Sequence, residues 1–428
     1  MSLKSKQYTE VPGGITAPEG FLCHAVSAGI KDPAKPRLDL GLIYSTVPTV
    51  TAGMFTTNKV KAAPVRVCQA HLKLNDVRAI LVNSGNANAC TGPRGIQDAK
   101  AMATVTAQAL NLKPTQVMVN STGIIGLPMP IDRITAQIPD LAQGLSRERH
   151  QAVAEAIMTS DTKPKVLAIE VPLGSKTVRI AAIAKGAGMI CPSMGTMLCF
   201  ITTDAAIGLP ELKKCTSDGV RNTFNRISID GDTSTNDTVL VMANGTAGNR
   251  RISAGGPQYQ AFAEALEYVM KRMSHMIVSD GERVTKFVEI AVRNAGTHMD
   301  ARRVAETVAN SLLVKCSWNG SDPNWGRVMH AIGYSRARIR EESIDIYFDG
   351  HIATRNGIAA DTPLDVLKAA VAKREFTVTI DLNIGSADYT VYTSDLSQEY
   401  VDFNCTEYAV RVASDDQAGA VSPWPRPH

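Results

Sequence analysis

The stretch Lys185-Gly-Ala-Gly-Met-Ile-Cys-Pro-Ser-Met-Gly-Thr196-Met-Leu-Cys-Phe-Ile-Thr-Thr-Asp204 changes character in its middle, where a Gly- and Pro-containing turn gives way to a strand-like run from Thr196 to Thr202. β-Branched and apolar residues suit a buried pleated surface, so a strand is expected to begin at Thr196. Gly195, immediately before it, is the residue least obstructive to attack on its own carbonyl. If the Gly195–Thr196 bond were cut, Thr196 would carry a hydroxyl and a free α-amine. An α-amine with a pKa of about 7.7–8.0 can serve as base for a hydroxyl on the same residue, so no histidine is needed. A mid-chain threonine after glycine is more often the ordinary start of a strand, and on these residues alone that structural reading is preferred.

Outward from that stretch, β-branched runs alternate with helical spacing. Val77 to Val82 reads as a buried strand entering a turn at Asn83-Ser-Gly-Asn-Ala-Asn88, and Gln116 to Val119 as the next strand. Val166 to Val171 and Thr177 to Ala184 read as strands joined by a turn at Leu173-Gly-Ser-Lys176. Helical spacing covers 96–110 and 147–158, then 210–225, 258–278, 301–313 and 362–373. Strands are expected near 238–242, 286–292, 344–348, 376–382 and 388–393. Hairpins mixed with longer crossovers predict a mixed α/β (α+β) protein. No low-complexity linker marks a domain boundary, and only the tail from Ser414 to His428 reads as irregular.

The chain has 428 residues, 44% of them hydrophobic and 20% charged, enough for a large core. A net charge of +4 and 5% aromatics give no footprint for nucleic acid or for an anionic membrane. The opening residues lack the apolar core of a secretory signal, and no uninterrupted apolar run reaches membrane-spanning length. Eight scattered cysteines without C-x-x-C pairs suit reduced thiols, so a cytoplasmic location is expected. The P-loop, H-E-x-x-H and G-x-S-x-G motifs are missing, and Cys191 spoils a dinucleotide fingerprint at Gly186-Ala-Gly188. No histidine lies at metal-ligand spacing with cysteine, and His330 reads as a packed residue on a helix after Trp325.

Longer motifs say more. They are Gly13-Gly-Ile-Thr-Ala-Pro-Glu-Gly-Phe21, Met54-Phe-Thr-Thr-Asn58, Leu81-Val-Asn-Ser-Gly-Asn-Ala-Asn88, Asn120-Ser-Thr-Gly123 and Met158-Thr-Ser-Asp-Thr162. Asp230-Gly-Asp-Thr-Ser-Thr-Asn-Asp-Thr238, Asp280-Gly-Glu282 with Thr285-Lys286, and Asp322-Pro-Asn-Trp-Gly-Arg327 follow. In this order, with the segment around Thr196, they resemble the ornithine acetyltransferase (ArgJ) family of arginine biosynthesis, self-cleaving glutamate N-acetyltransferases. The resemblance runs from Gly13 to about Asn404. It implies a self-processing N-terminal-threonine acyltransferase with stacked sheets flanked by helices. The α chain would be 1–195, and the β chain 196–428 would begin with the nucleophile and carry a flexible tail, 410–428.

The same resemblance implies transfer of acetyl from N-acetylornithine to glutamate through an acetyl-threonine at Thr196, with ping-pong kinetics. Thr122 and Gly123 match its oxyanion pair, which the sequence places in a turn after a strand. Thr162, Lys185, Thr196, Glu282 and Asn404 match its substrate-binding positions: Lys185 suits a carboxylate and Glu282 the ammonium of ornithine. No metal or organic cofactor is implied, and the residues leave open whether acetyl-CoA is also a substrate. The two fragments would stay associated, and the family's usual assembly is an α2β2 tetramer. Three departures stand out: Gly195 where alanine is common, Arg283-Val284 where Gly-Ala is usual, and Ala409 in place of a terminal hydroxyl, with Thr406 nearby. Two other functions stay open: a self-processing amide hydrolase or aminopeptidase of the same fold, and a non-processing binding protein.

Overall fold

The structure, a computed structural model, describes residues 8–191 and 197–405. Gly195, Thr196, Thr406, Ala409 and the tail 410–428 lie outside the described residues. The chain forms two compact units, one ending at Gly281 and the other starting at Glu282.

The first unit begins with strands β1 (Thr9–Glu10), β2 (Phe21–Val26), β3 (Leu40–Ser45) and β4 (Val50–Phe55). Helix α1 (Ala63–Leu72), β5 (Ala79–Asn86), α2 (Gly92–Ala109), β6 (Val117–Ile124), α3 (Ile131–Gln143) and α4 (His150–Ala156) follow. Next come β7 (Lys165–Leu173), β8 (Lys176–Lys185), β9 (Leu198–Thr203), α5 (Leu209–Asn222), β10 (Ile227–Ser228), β11 (Thr238–Ala243) and α6 (Pro257–Ser279). One sheet runs β1-β7-β8-β9-β11-β4 and a second runs β2-β3-β5-β6.

The two sheets stack. Phe21, Ile43, Ile80 and Val82 of the smaller sheet share a core with Ile183, Leu198, Phe200 and Leu240 of the larger one. Outside the smaller sheet, Leu40, Ala79 and Leu81 meet Ala99, Met102 and Ala103 of α2 and Ile134 and Ile138 of α3. Helices α5 and α6 pack on β4, β7 and β8 of the larger sheet. Strand β5 is buried at every position, and its first half, 79–82, is apolar on both faces, as a strand covered from two sides must be. Burying one large side chain such as Phe200 contributes roughly 2–3 kcal/mol, so this double interface dominates the unit's stability.

The second unit holds β12 (Phe287–Ala295), α7 (His298–Ala309), α8 (Leu312–Asn319), α9 (Trp325–Gly333), β13 (Asp345–Phe348), β14 (His351–Arg355), β15 (Ile358–Ala359), α10 (Leu364–Ala372), β16 (Glu375–Asp381) and β17 (Ala387–Ser394). Burial alternates along β13 and β16, so one face of the sheet carries the core. That face meets α7 to α10 around Trp318, which packs edge-on against Phe376 at 6.1 Å.

Several sequence expectations are corrected. Asn83 to Asn86 continue β5 instead of turning, because their amides bond internally: Asn83 Nδ2 donates to Asn86 O (3.0 Å) and Asn86 Nδ2 to Pro128 O (3.1 Å). The turn expected at Thr122-Gly123 is instead the end of β6, paired in parallel with Ser84 and Gly85. The helix expected over 147–158 covers only His150–Ala156. The helix over 301–313 breaks at Asn310, where Ser311 accepts from Val314 N–H and caps α8.

Candidate active site

The antiparallel register of β8 and β9 sets Lys185 opposite Leu198, two positions after Thr196 in the chain. Lys185 is buried at the end of β8. Its Nζ donates to Thr159 Oγ1 (2.6 Å) and Thr122 Oγ1 (3.3 Å) and lies 3.9 Å from Asp161 Oδ2. Two threonine hydroxyls and one carboxylate thus surround the buried ammonium.

Thr122 is 2% exposed and Gly123 is open to solvent, so the strand end presents a hydroxyl and a backbone N–H side by side. Gly123 has φ +131°, and a Cβ there would stand 2.4 Å from the Gly85 carbonyl carbon. The register shift of β5 at Gly85–Asn86 brings the two backbones this close. Only glycine fits there.

Behind Lys185 lies a buried charge network that the sequence reading missed. Lys165 Nζ donates to Asp161 Oδ1 and to Asp280 Oδ2, each at 2.6 Å, and all three side chains are 3% exposed or less. Asp161 Oδ1 also accepts from Gly186 N–H (2.7 Å). Burial pushes the Asp161 carboxyl up, but Lys185, Lys165 and that N–H outweigh it and hold the group at about 2. Thr162 N–H donates to Asp280 Oδ2 (3.1 Å) and its hydroxyl to Asp280 Oδ1. Thr162 therefore joins the same network, with its hydroxyl engaged by Asp280. Two lysines and two aspartates balance, which is what allows four charges to be buried together. The spacing Asp161–Lys165 at i,i+4 was the available signal. The partner 115 residues away was not.

Glu282 and Asn404 belong to the second unit, where Asn404 Nδ2 donates to Glu282 Oε2 at 3.1 Å. Arg283 adopts φ +55°, a conformation glycine tolerates best, and its guanidinium lies over the Phe403 ring at 5.1 Å. Asp395 fixes this loop by accepting from Thr285 N–H (2.9 Å), Thr285 Oγ1 (2.6 Å) and Lys286 N–H (2.9 Å). His330, expected to be packed, is instead exposed on α9, where its ring meets the exposed Tyr334 edge-on at 5.3 Å. Among the described residues no group of three His, Cys, Asp or Glu side chains is placed to hold a metal ion, and no helix is long and apolar enough to cross a membrane. None of the eight cysteines, all of them among the described residues, is in a disulfide.

The sequence pattern of the ArgJ family matches residues 22–409. The chain belongs to the ArgJ family. A relative named arginine biosynthesis bifunctional protein ArgJ, from Geobacter sulfurreducens, is 46% identical over 387 residues, covering 90% of this chain and 98% of its own. Its counterpart from Symbiobacterium thermophilum is 44% identical over 396 residues, covering 92% and 98%. The crystal structure of arginine biosynthesis bifunctional protein ArgJ from Bacillus halodurans is 34% identical with a TM-score of 0.46, over 48% of this chain and 96% of that one. This ArgJ-family chain thus carries Lys185, Thr122, Gly123 and Thr162 in one unit and Glu282 with Asn404 in the other.

Proposed function

We propose that this ArgJ-family protein acts in arginine biosynthesis as a self-cleaving ornithine acetyltransferase, moving acetyl from N-acetylornithine to glutamate. Maturation begins when Thr196 Oγ attacks the Gly195 carbonyl. The chain shifts from nitrogen to oxygen, and water hydrolyses the ester, leaving a Gly195 carboxylate and a Thr196 α-amine. That amine takes the hydroxyl proton when Oγ attacks the acetyl carbonyl of N-acetylornithine. The proton passes to the departing nitrogen of ornithine and an acetyl-threonine ester remains. The α-amine of glutamate then attacks the ester and frees Oγ.

Both additions develop a negative oxygen, which the Thr122 hydroxyl and the Gly123 N–H would stabilise, and donors of this kind are each worth about 3–4 kcal/mol. By the family resemblance, Lys185 would pair a substrate carboxylate, Glu282 with Asn404 would take the ornithine ammonium, and Thr162 is a further binding position. Whether acetyl-CoA also donates depends on acceptor and donor assays. The observation that carries the reading is the register that sets Lys185 opposite Leu198 with its ammonium 3.3 Å from Thr122, beside the strand that follows Thr196.

The test pairs a gel with an assay. Wild-type protein should run as two fragments on a denaturing gel and release ornithine slowly until glutamate is added. Equal release without glutamate favours an amide hydrolase. Thr196→Ala should stay uncut and inactive, and a cleaved, active Thr196→Ala protein refutes the assignment.

A further inference from the structure

The motif Asp230-Gly-Asp-Thr-Ser-Thr-Asn-Asp237 between β10 and β11 takes no part in the chemistry above, yet both its ends hold the chain that flanks residues 192–196. We propose that Asp230 and Asp237 are positioning residues that grip the chain on either side of the Gly195–Thr196 link, and that Asn236 ties this grip to the strand bearing Thr122. The inference rests on the self-cleavage proposed above.

Upstream, Asp230 Oδ2 accepts from Met189 N–H (2.6 Å) and Oδ1 from Ile190 N–H (2.9 Å), while Ile229 N–H donates to Ile190 O (2.8 Å). Downstream, Asp237 Oδ1 accepts from Met197 N–H (2.9 Å), and Thr238 N–H donates to Met197 O (3.1 Å). One eight-residue loop thus fixes two chain points that are seven residues apart and bracket the link.

The same loop reaches the oxyanion side. Asn236 Nδ2 donates to Ser121 O (2.8 Å), the residue before Thr122, and to Ala87 O (2.6 Å), beyond β5. Thr56 Oγ1 to Ser234 O (2.7 Å) and Asn58 Nδ2 to Thr233 O (3.0 Å) hold it from the end of β4. Attack needs the hydroxyl, the carbonyl and the oxyanion donors in one alignment, and a displacement of about 1 Å is enough to slow such a step by about a hundredfold. A loop bonded to all three segments sets that alignment.

The two carboxyls differ in chemistry. Both oxygens of Asp230 receive N–H donors, with Asp232 N–H a further donor to Oδ1 (3.2 Å). Asp237 is fully buried with the Thr56 and Ser234 hydroxyls beside it. Its burial pushes the carboxyl well above the usual range, and Met197 N–H on Oδ1 only partly offsets this. A carboxamide can therefore replace Asp237, because hydroxyls can accept from its NH2. It cannot replace Asp230 without turning an NH2 toward an N–H.

The full chain is made by cell-free translation and its cleavage followed on denaturing gels, with melting curves as a check on folding. Asp230→Ala and Asp237→Ala should cleave about ten- to a hundredfold more slowly, and the matured fractions should lose kcat with KM little changed. Asp237→Asn should cleave within about threefold of wild type and Asp230→Asn about tenfold more slowly. Should the alanine variants fail to fold, the asparagine pair decides: one slow and one near normal supports the proposal, and two normal rates overturn it. Alanine variants that cleave at the wild-type rate also overturn it. An uncut wild-type chain instead refutes the cleavage reading itself.

Discussion

Replacing Lys165 with methionine removes the one cation that bridges Asp161 and Asp280, at 2.6 Å from each, in a site where no partner is more than 3% exposed. Breaking a buried ion pair by deleting one member costs about 3–5 kcal/mol, because the remaining charge is left uncompensated. For a unit of this size that corresponds to a fall in Tm of roughly 10 °C. The pH dependence sharpens the test. In the wild type, the Asp161 carboxyl is held at about 2 against an ordinary 3.8. It therefore adds roughly 2 kcal/mol above the ordinary value, lost as pH falls toward the folded value. Without Lys165 the carboxyl keeps Lys185 and the Gly186 N–H but is held down less firmly, so the variant gains less stability from ionising Asp161. The gap in Tm between variant and wild type should therefore be narrow near pH ~2 and widen as pH rises past ~4. Melting curves by circular dichroism across that range measure it, using the same cleavage state for both proteins. A gap that is small and independent of pH would refute the argument that four balanced charges hold this site together.

Gly123→Ala should cost about 1–3 kcal/mol of stability and slow acetyl transfer by at least about a hundredfold, since a Cβ at φ +131° meets the Gly85 backbone; melting and single-turnover assays check both. Trp318→Ala should destabilise the second unit by about 3–5 kcal/mol, read from denaturant unfolding. Burial, then Lys271 and Arg272, lowers His275 from 6.5 to about 4. Between those values the unfolded chain takes up a proton that the folded one refuses, so stability falls by up to roughly 3 kcal/mol as pH drops, and His275→Gln should flatten that slope in acid titrations.

The elements legible in the sequence were those whose partners lie nearby. The hairpin of β7 and β8 followed from the two strand-like runs either side of Gly174-Ser175, and α6 followed from helical spacing over 258–278. Asn83 to Asn88 misled because asparagine and glycine mark turns, whereas here the Asn83 amide donates to Asn86 O and the Asn86 amide to Pro128 O inside a covered strand end. The break between α7 and α8 hid because apolar spacing continues across Asn310 and Ser311. The division at Gly281 was invisible, since only the short segment 280–286 separates α6 from β12, too few residues to read as a linker. Thr122, Gly123 and Lys185 were found through family motifs. Lys165 and Asp280 were not, because each becomes informative only when residues 115 apart meet.

The most direct measurement is the intact mass and N-terminal sequence of purified, fully active protein. The account predicts two polypeptides, residues 1–195 and 196–428, the second starting at a free Thr196. Full acetyl transfer by one uncut chain would contradict it.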